Sequence, residues 1–220
     1  MKTYLALDVG GSSIKYALIQ EDSTILEKSS VPTPMDTMDH FVETIGTIYD
    51  QYKDRIEGMA ISMPGIINPE IGYAFTGGAL RYIDKMNIVD ILKERCPINI
   101  TIGNDAKCAA NAEIGYGNLQ DIQDGAVVIL GTGIGGCLIK DHKVHTGRHF
   151  SAGEFSFVKT NCLDGISWDY AWSTRNGIKG LLERVQESLG TNQEYTGIEI
   201  FDMANEGNEK VIEGISQFCK

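Results

Sequence analysis

The sequence predicts an α/β protein of two lobes, each built on a mixed sheet. Two observations carry that reading. Short apolar strand-like runs alternate with helical periodicity in the order strand, strand, strand, helix, strand, helix, strand. A strand, a glycine turn and a second strand at residues 4–19 then return in related form at 126–139. With 220 residues and 42% hydrophobic content, the chain can bury a substantial core as one large or two small domains. The lobes are expected at residues 1–114 and 115–220.

In the opening stretch, apolar runs Tyr4 to Leu7 and Ile14 to Ile19 flank a turn that reads Asp8-Val-Gly-Gly-Ser-Ser13. Gly10 and Gly11 allow positive φ and let the backbone approach a ligand closely. Ser12 and Ser13 add hydroxyl donors to the turn's N–H groups, so the turn can wrap an anion such as phosphate. Asp8, ending the first strand, is placed to hold Mg²⁺ or its waters beside that phosphate. Taken alone, the stretch can equally be an ordinary glycine hairpin.

Thr24 to Val31 reads as a third strand, ended by Pro32 and Pro34. Asp36 or Thr37 reads as the N-cap of a helix through about Tyr52, with Phe41, Ile45, Ile48 and Tyr49 on its core face. Ile56 to Ser62 is a short strand that Pro64-Gly65 turns outward. Residues 68–85 read as an irregular aromatic loop, long enough to carry function. Asn87 starts a short helix to Arg95, and Ile98 to Gly103 alternates as a strand. Asn104-Asp105 stands at the carboxyl end of that strand, where open α/β sheets place their ligands. A helix of small residues follows it, with Ala106, Ala109 and Ala110.

Gly115 to Asp124 connects to the second lobe. There Gly131, Gly133, Gly135 and Gly136, with Thr132, make a second phosphate-type turn between two strands. Two such turns, each after a buried strand and a lobe apart, point to a divided phosphate site. Residues 176–189 and 210–219 read as amphipathic helices.

Charge and cysteine usage exclude several partners. The chain has 19 basic against 30 acidic residues, a net charge of -11, and no Lys/Arg cluster, which disfavours nucleic acid and anionic membrane. A phosphorylated ligand would therefore be held by backbone N–H groups, helix N-termini and Mg²⁺. Five scattered cysteines suit a reducing compartment and argue against a disulfide framework or a zinc ribbon. With no basic-then-apolar leader and no long apolar run, the expected location is the cytoplasm. His142, His145 and His149 cluster on a polar loop and are expected to face solvent rather than a metal.

Five motifs together resemble the ROK family of sugar kinases, within the actin-like ATPase (ribonuclease H-like) superfamily. They are Asp8-Val-Gly-Gly-Ser-Ser-Ile-Lys15, Ser62-Met-Pro-Gly65, Asn104-Asp-Ala-Lys-Cys-Ala-Ala-Asn111, Gly131-Thr-Gly-Ile-Gly-Gly136 and Ser151-Ala-Gly-Glu154. They stand in family order and cover most of the chain. The resemblance implies a two-lobed fold with a central cleft, and ATP-dependent phosphorylation of a hexose, usually at the 6-hydroxyl. It implies Asp105 as the base, with Asn104, Asp105, Gly65 and Glu154 on the sugar. Asp8, Gly10, Gly11, Ser12, Ser13 and Lys15 would meet Mg·ATP, as would Gly131, Thr132, Gly133 and Gly135. A homodimer is also implied.

The match departs from the zinc-bearing members, because Phe157 stands where their metal-binding His would be and only Cys162 follows. One Cys cannot fill a four-ligand zinc sphere, so no structural zinc is expected. The zinc-less pattern resembles the branch with β-glucoside, N-acetylmannosamine and glucose kinases. Phe155, Phe157, Tyr73, Phe75 and Tyr82 could line a pocket for a substituted sugar, although Phe157 is expected to be core that replaces the metal. The second lobe is expected to lack the family's last strand and helix. A non-catalytic sugar-binding module is the alternative reading, and both phosphate turns and Asp105 argue against it. A repressor of the same family would need an N-terminal helix-turn-helix, whereas the first strand begins at residue 4.

Overall fold

The computed structural model describes residues 1–160 and 167–219, with Trp168 described by its backbone alone. Two compact units divide the chain. One is Met1–Asp121 with Gly147–Ser151, and the other is Ile122–Thr146 with the chain from Ala152 onward.

In the first unit, β1 (Thr3–Val9), β2 (Ser13–Gln20) and β3 (Ile25–Pro32) form an antiparallel meander. Helix α1 (Met38–Tyr52) then crosses to β4 (Met59–Met63), which lies parallel to β1. Of the two N-cap candidates, Thr37 takes the role, its hydroxyl accepting the His40 N–H at 3.2 Å. β1 alternates buried Leu5, Leu7 and Val9 with exposed Tyr4 and Asp8, so the core lies on one face and Asp8 on the other.

Residues 68–85 are not an irregular loop. They contribute most of a small antiparallel sheet of β5 (Ile67–Asn68), β6 (Tyr73–Thr76) and β7 (Asp84–Asn87). The strands are two to four residues long and are separated by Gly72 and Gly78 at φ of 70° and 59°, too short to show a period in sequence. Helix α2 (Ile88–Arg95) follows, capped by Asn87 as read. Strand β8 begins at Ile100 rather than Ile98, because the Ile98 N–H turns back onto the Cys96 carbonyl beside Pro97. β8 (Ile100–Asn104) joins parallel to β4 and leads into α3 (Asp105–Tyr116), giving the sheet order β3-β2-β1-β4-β8.

The second unit repeats the opening meander. β9 (Gly125–Leu130), β10 (Ile134–Lys140) and β11 (Lys143–His145) form an antiparallel sheet. β11 is an addition to the sequence reading. Its two-residue turn puts Asp141 and His142 at φ of 53° and 58°, without the Gly or Asn that usually marks such a turn. Beyond the short turns at Phe155–Phe157 and Trp168–Tyr170 stand α4 (Trp172–Arg175), α5 (Ile178–Leu189), α6 (Gly197–Asn205) and α7 (Glu209–Phe218). The last three pack through Leu181, Val185, Ile200 and Val211. Helix α6 was open to a sequence reading, since Thr196 and Glu199 form a complete capping box ahead of it. No helix among the described residues is long and apolar enough to cross a membrane.

Candidate active site

The parallel register of the first sheet aligns three residues at its carboxyl end. Asp8 of β1 pairs with Ser62 of β4, and Ser62 pairs with Gly103 of β8. Paired residues share a face, so this row stands opposite the core row of Leu7, Ile61 and Ile102. The Ser62 hydroxyl donates to the Asp8 carboxylate at 3.2 Å. Lys15 is exposed and lies across from Asp8 in the β1–β2 pairing.

One residue beyond Gly103, the buried Asn104 joins three pieces of the site. Its Oδ1 accepts the Lys107 N–H at 3.0 Å and caps α3. Its Nδ2 donates to the Gly65 carbonyl and to the Asp105 carboxylate, both at 3.0 Å. Asp105 is the first residue of α3 rather than its cap, and its carboxylate accepts its neighbour Ala106 N–H at 2.8 Å.

Asp105 keeps part of its surface open, yet the protein packed around the carboxylate desolvates it and raises its pKa above the usual aspartate value. The negative charge of Asp8 adds to the rise, while the Ala106 N–H and the Lys107 ammonium pull the other way. Burial, followed by the charges of Asp105 and Asp8, also raises the neighbouring Cys108 thiol, which keeps it protonated and unreactive.

The first phosphate-type turn does not use the left-handed freedom that its glycines allow. Neither Gly10 nor Gly11 takes a positive φ. A strap two strands away shapes the turn instead. Thr33, between Pro32 and Pro34 and only 7% exposed, donates its hydroxyl to the Gly10 carbonyl at 2.7 Å. The Thr33 N–H donates to the Ser12 carbonyl at 3.1 Å, and the Tyr82 hydroxyl holds the Pro34 carbonyl at 2.8 Å. With two turn carbonyls committed to Thr33, the N–H groups of Gly11 and Ser12 have no acceptor among the described residues. Sequence reading missed Thr33. A hydroxyl residue fixed between two prolines was the available signal.

The sugar-type turn adjoins the same place. Gly65 has φ of 111°, and a Cβ there would lie 2.0 Å from the Thr76 carbonyl oxygen, so only glycine fits. A Cβ on Gly78 would meet Pro64 at 3.1 Å, and one on Gly11 would meet the Ala79 methyl at 3.8 Å. The turn at 77–80 therefore joins the phosphate-type turn to the Pro64-Gly65 turn. The first unit thus brings together Asp8, Gly10 to Ser13, Gly65, Asn104 and Asp105.

In the second unit, the β9–β10 turn is closed by the Gly131 N–H on the Gly133 carbonyl at 2.9 Å. The Ser173 hydroxyl accepts the Ile134 N–H at 3.2 Å, and a Cβ on Gly133 would lie 2.3 Å from that oxygen. The Ile178 N–H, at the start of α5, donates to the Gly131 carbonyl at 3.0 Å. These glycines also avoid the left-handed region, and close approach is what Gly133 and Gly136 require. A Cβ on Gly136 would strike the Phe155 ring, and one on Gly153, at φ of 75°, would strike the β10 backbone. Gly153 thus lets the chain before Glu154 lie against the β10 backbone, and Glu154 is half-buried.

Phe157 is not core: it is 52% exposed. Tyr82 makes no ring contact with Tyr73 or Phe75 among the described residues. It packs against Phe41 and holds Pro34. His145 and His149 are exposed and His142 is half-buried, with its Nδ1 on the Ile122 carbonyl. Cys162, the lone candidate thiol of the zinc question, lies outside the described residues.

The ROK family pattern matches residues 4–220. The chain belongs to the ROK family. It is similar to a β-glucoside kinase of Klebsiella pneumoniae, 29% identical over 205 residues that cover 92% of this chain and 69% of that protein. It is also similar to a β-glucoside kinase of Listeria monocytogenes, 31% identical over 153 residues, or 70% of this chain and 52% of that one. This ROK chain therefore spans between about half and two thirds of the length of those two relatives. Its fold matches that of a candidate N-acetylmannosamine kinase of Listeria monocytogenes at TM-score 0.86 and 28% identity, over 98% of this chain and 75% of the other. These relatives are named as sugar kinases, and the ROK chain carries their actin-like α/β fold.

Proposed function

We propose that this ROK chain performs ATP-dependent phosphorylation of a hexose or hexose derivative at its 6-hydroxyl. The observation that carries this reading is the Asp105 carboxylate, its pKa raised at the head of α3, hydrogen-bonded to Asn104 and beside the Gly65 turn. A base that must take a proton from a hydroxyl gains from a raised pKa, provided it is ionised at working pH. Asp105 would accept the 6-hydroxyl proton as that oxygen bonds to the γ-phosphorus and the bond to the ADP oxygen breaks.

The other residues position the reactants. Asn104, the backbone at Gly65 and Glu154 would hydrogen-bond sugar hydroxyls. The turn from Gly10 to Ser13, with Lys15, would meet nucleotide phosphates, and its available N–H groups support that role. Gly131, Thr132, Gly133 and Gly135 are assigned the same task in the second unit. Asp8 with the Ser62 hydroxyl is a hard oxygen donor set, which fits Mg²⁺ bound through one or two carboxylates and phosphate oxygens. When bound, Mg²⁺ supplies charge neutralisation on the transferring phosphate. In this reading the protein works in the cytoplasm, and a second copy of the chain is its partner.

The test is a coupled assay of ADP release with Mg·ATP over glucose, N-acetylglucosamine, N-acetylmannosamine and cellobiose. At least one sugar is turned over, and Asp105→Asn lowers kcat by about 10²- to 10⁴-fold, the usual worth of a general base. Sugar binding without turnover, in wild type as in Asp105→Asn, would instead mark a non-catalytic sugar-binding module.

A further inference from the structure

Outside the groups assigned above, the first unit holds a ring cluster with no evident packing role. Tyr73 and Phe75 project from the same face of β6, edge to face with centroids 5.1 Å apart. Between them Ala74 points the opposite way and is fully buried, so it is Ala74 that anchors β6 to the core. Phe75 remains 38% exposed, and Phe150 stacks on it at 5.9 Å with 21° between the ring planes. Phe150 arrives from residues 147–151, the short stretch that joins the first unit.

Two further observations connect this cluster to the site. Phe150 sits at φ of 60°, a left-handed conformation that strains a bulky residue and concentrates at functional positions. The Phe75 N–H donates to the Ile66 carbonyl at 2.8 Å, next to Gly65, whose own carbonyl is held by Asn104. The rings are thus one hydrogen bond from the turn read as sugar-binding, and Phe150 directly precedes Ser151-Ala-Gly-Glu154.

We infer that Tyr73, Phe75 and Phe150 form a platform for a second ring carried by the sugar, so that the substrate class is hexose glycosides such as disaccharides or aryl glucosides. The inference rests on the sugar-kinase reading above. An aromatic face carries partial negative charge and attracts the weakly positive C–H face of a pyranose or the edge of an aryl ring. In that reading a free hexose bound at Asn104 and the Gly65 turn leaves the platform unused. The platform therefore sets specificity and takes no part in the chemistry.

Calorimetric titration without nucleotide tests this directly, with glucose, cellobiose and phenyl β-D-glucoside as probes. Wild type is expected to bind at least one glycoside about tenfold tighter than glucose, the scale of a ring contact plus its buried area. Phe75→Ala removes that preference and leaves glucose affinity unchanged, whereas Phe75→Tyr retains it. Phe150→Asn removes the second ring while tolerating the left-handed backbone, and has the same effect. An equal loss for glucose and glycosides in both variants would mean that the rings only support the fold. Glucose binding without any preference for glycosides would overturn the platform alone. Failure to bind any sugar would overturn the sugar-kinase reading with it.

Discussion

Asp8 lies on β1 and Asp105 opens α3 directly after β8, a strand that is not a neighbour of β1, yet the charge of Asp8 reaches Asp105. That repulsion adds to burial in raising the Asp105 pKa. A general base works only when ionised, so turnover falls as pH falls through that raised pKa. The acid limb of kcat/KM should therefore lie above the ordinary aspartate value of about 3.9. Asp8→Asn removes the like charge and lets Asp105 ionise at lower pH. Whatever it does to the maximum rate, it should move the acid limb to lower pH. A limb that stays in place or rises would show that Asp8 does not set the proton affinity of Asp105. The charge pattern was legible only in part. Asp105 could be found from its motif, but its coupling to Asp8 depends on the parallel register of β1, β4 and β8.

At the level of elements, the Pro64-Gly65 turn is the most constrained. Gly65 combines a φ of 111° with a carbonyl oxygen 2.0 Å from where a Cβ would stand. Gly65→Ala therefore adds backbone strain to overpacking and should cost about 2–4 kcal/mol, read as a lower urea midpoint. A loss under about 1 kcal/mol would mean that the turn relaxes around the methyl group. Local pattern showed some elements clearly. The bounds of α1, Met38–Tyr52, follow from a cap, an apolar period and an unbroken run of fifteen residues. The sheet of β5, β6 and β7 did not, since its strands are defined by partners rather than by period. The Thr33 strap was hidden for a similar reason. Its meaning lies in two carbonyls more than twenty residues earlier in the chain.

The two units differ in how they are held together. The first has an extended core running from Leu5 through Phe41, Met63 and Ile88 to Ile102. The helices of the second rest on Leu181, Val185, Ile200 and Val211. Local opening is governed by buried apolar contact. In hydrogen-exchange mass spectrometry, amides of α5 to α7 should therefore exchange well before those of β1 and β4. Uniform exchange across both units would contradict separate cores. The repeated meander, β1-β2-β3 and β9-β10-β11, was visible because the sequence repeats its strand and glycine-turn pattern. The assignment of residues 147–151 to the first unit was not, since nothing in local sequence reveals which core a loop joins.

The 77–80 turn has a thermodynamic consequence. It lies beside the phosphate-type turn, where a Cβ on Gly11 would reach Ala79, and against the Pro64-Gly65 turn, where one on Gly78 would meet Pro64. A guest that stiffens one side therefore leaves less disorder for the other side to lose. Occupancy of the two sides becomes linked, and linkage in binding is reciprocal. If the proposed nucleotide and sugar occupy these two sides, the factor by which the nucleotide tightens the sugar is the factor by which the sugar tightens the nucleotide.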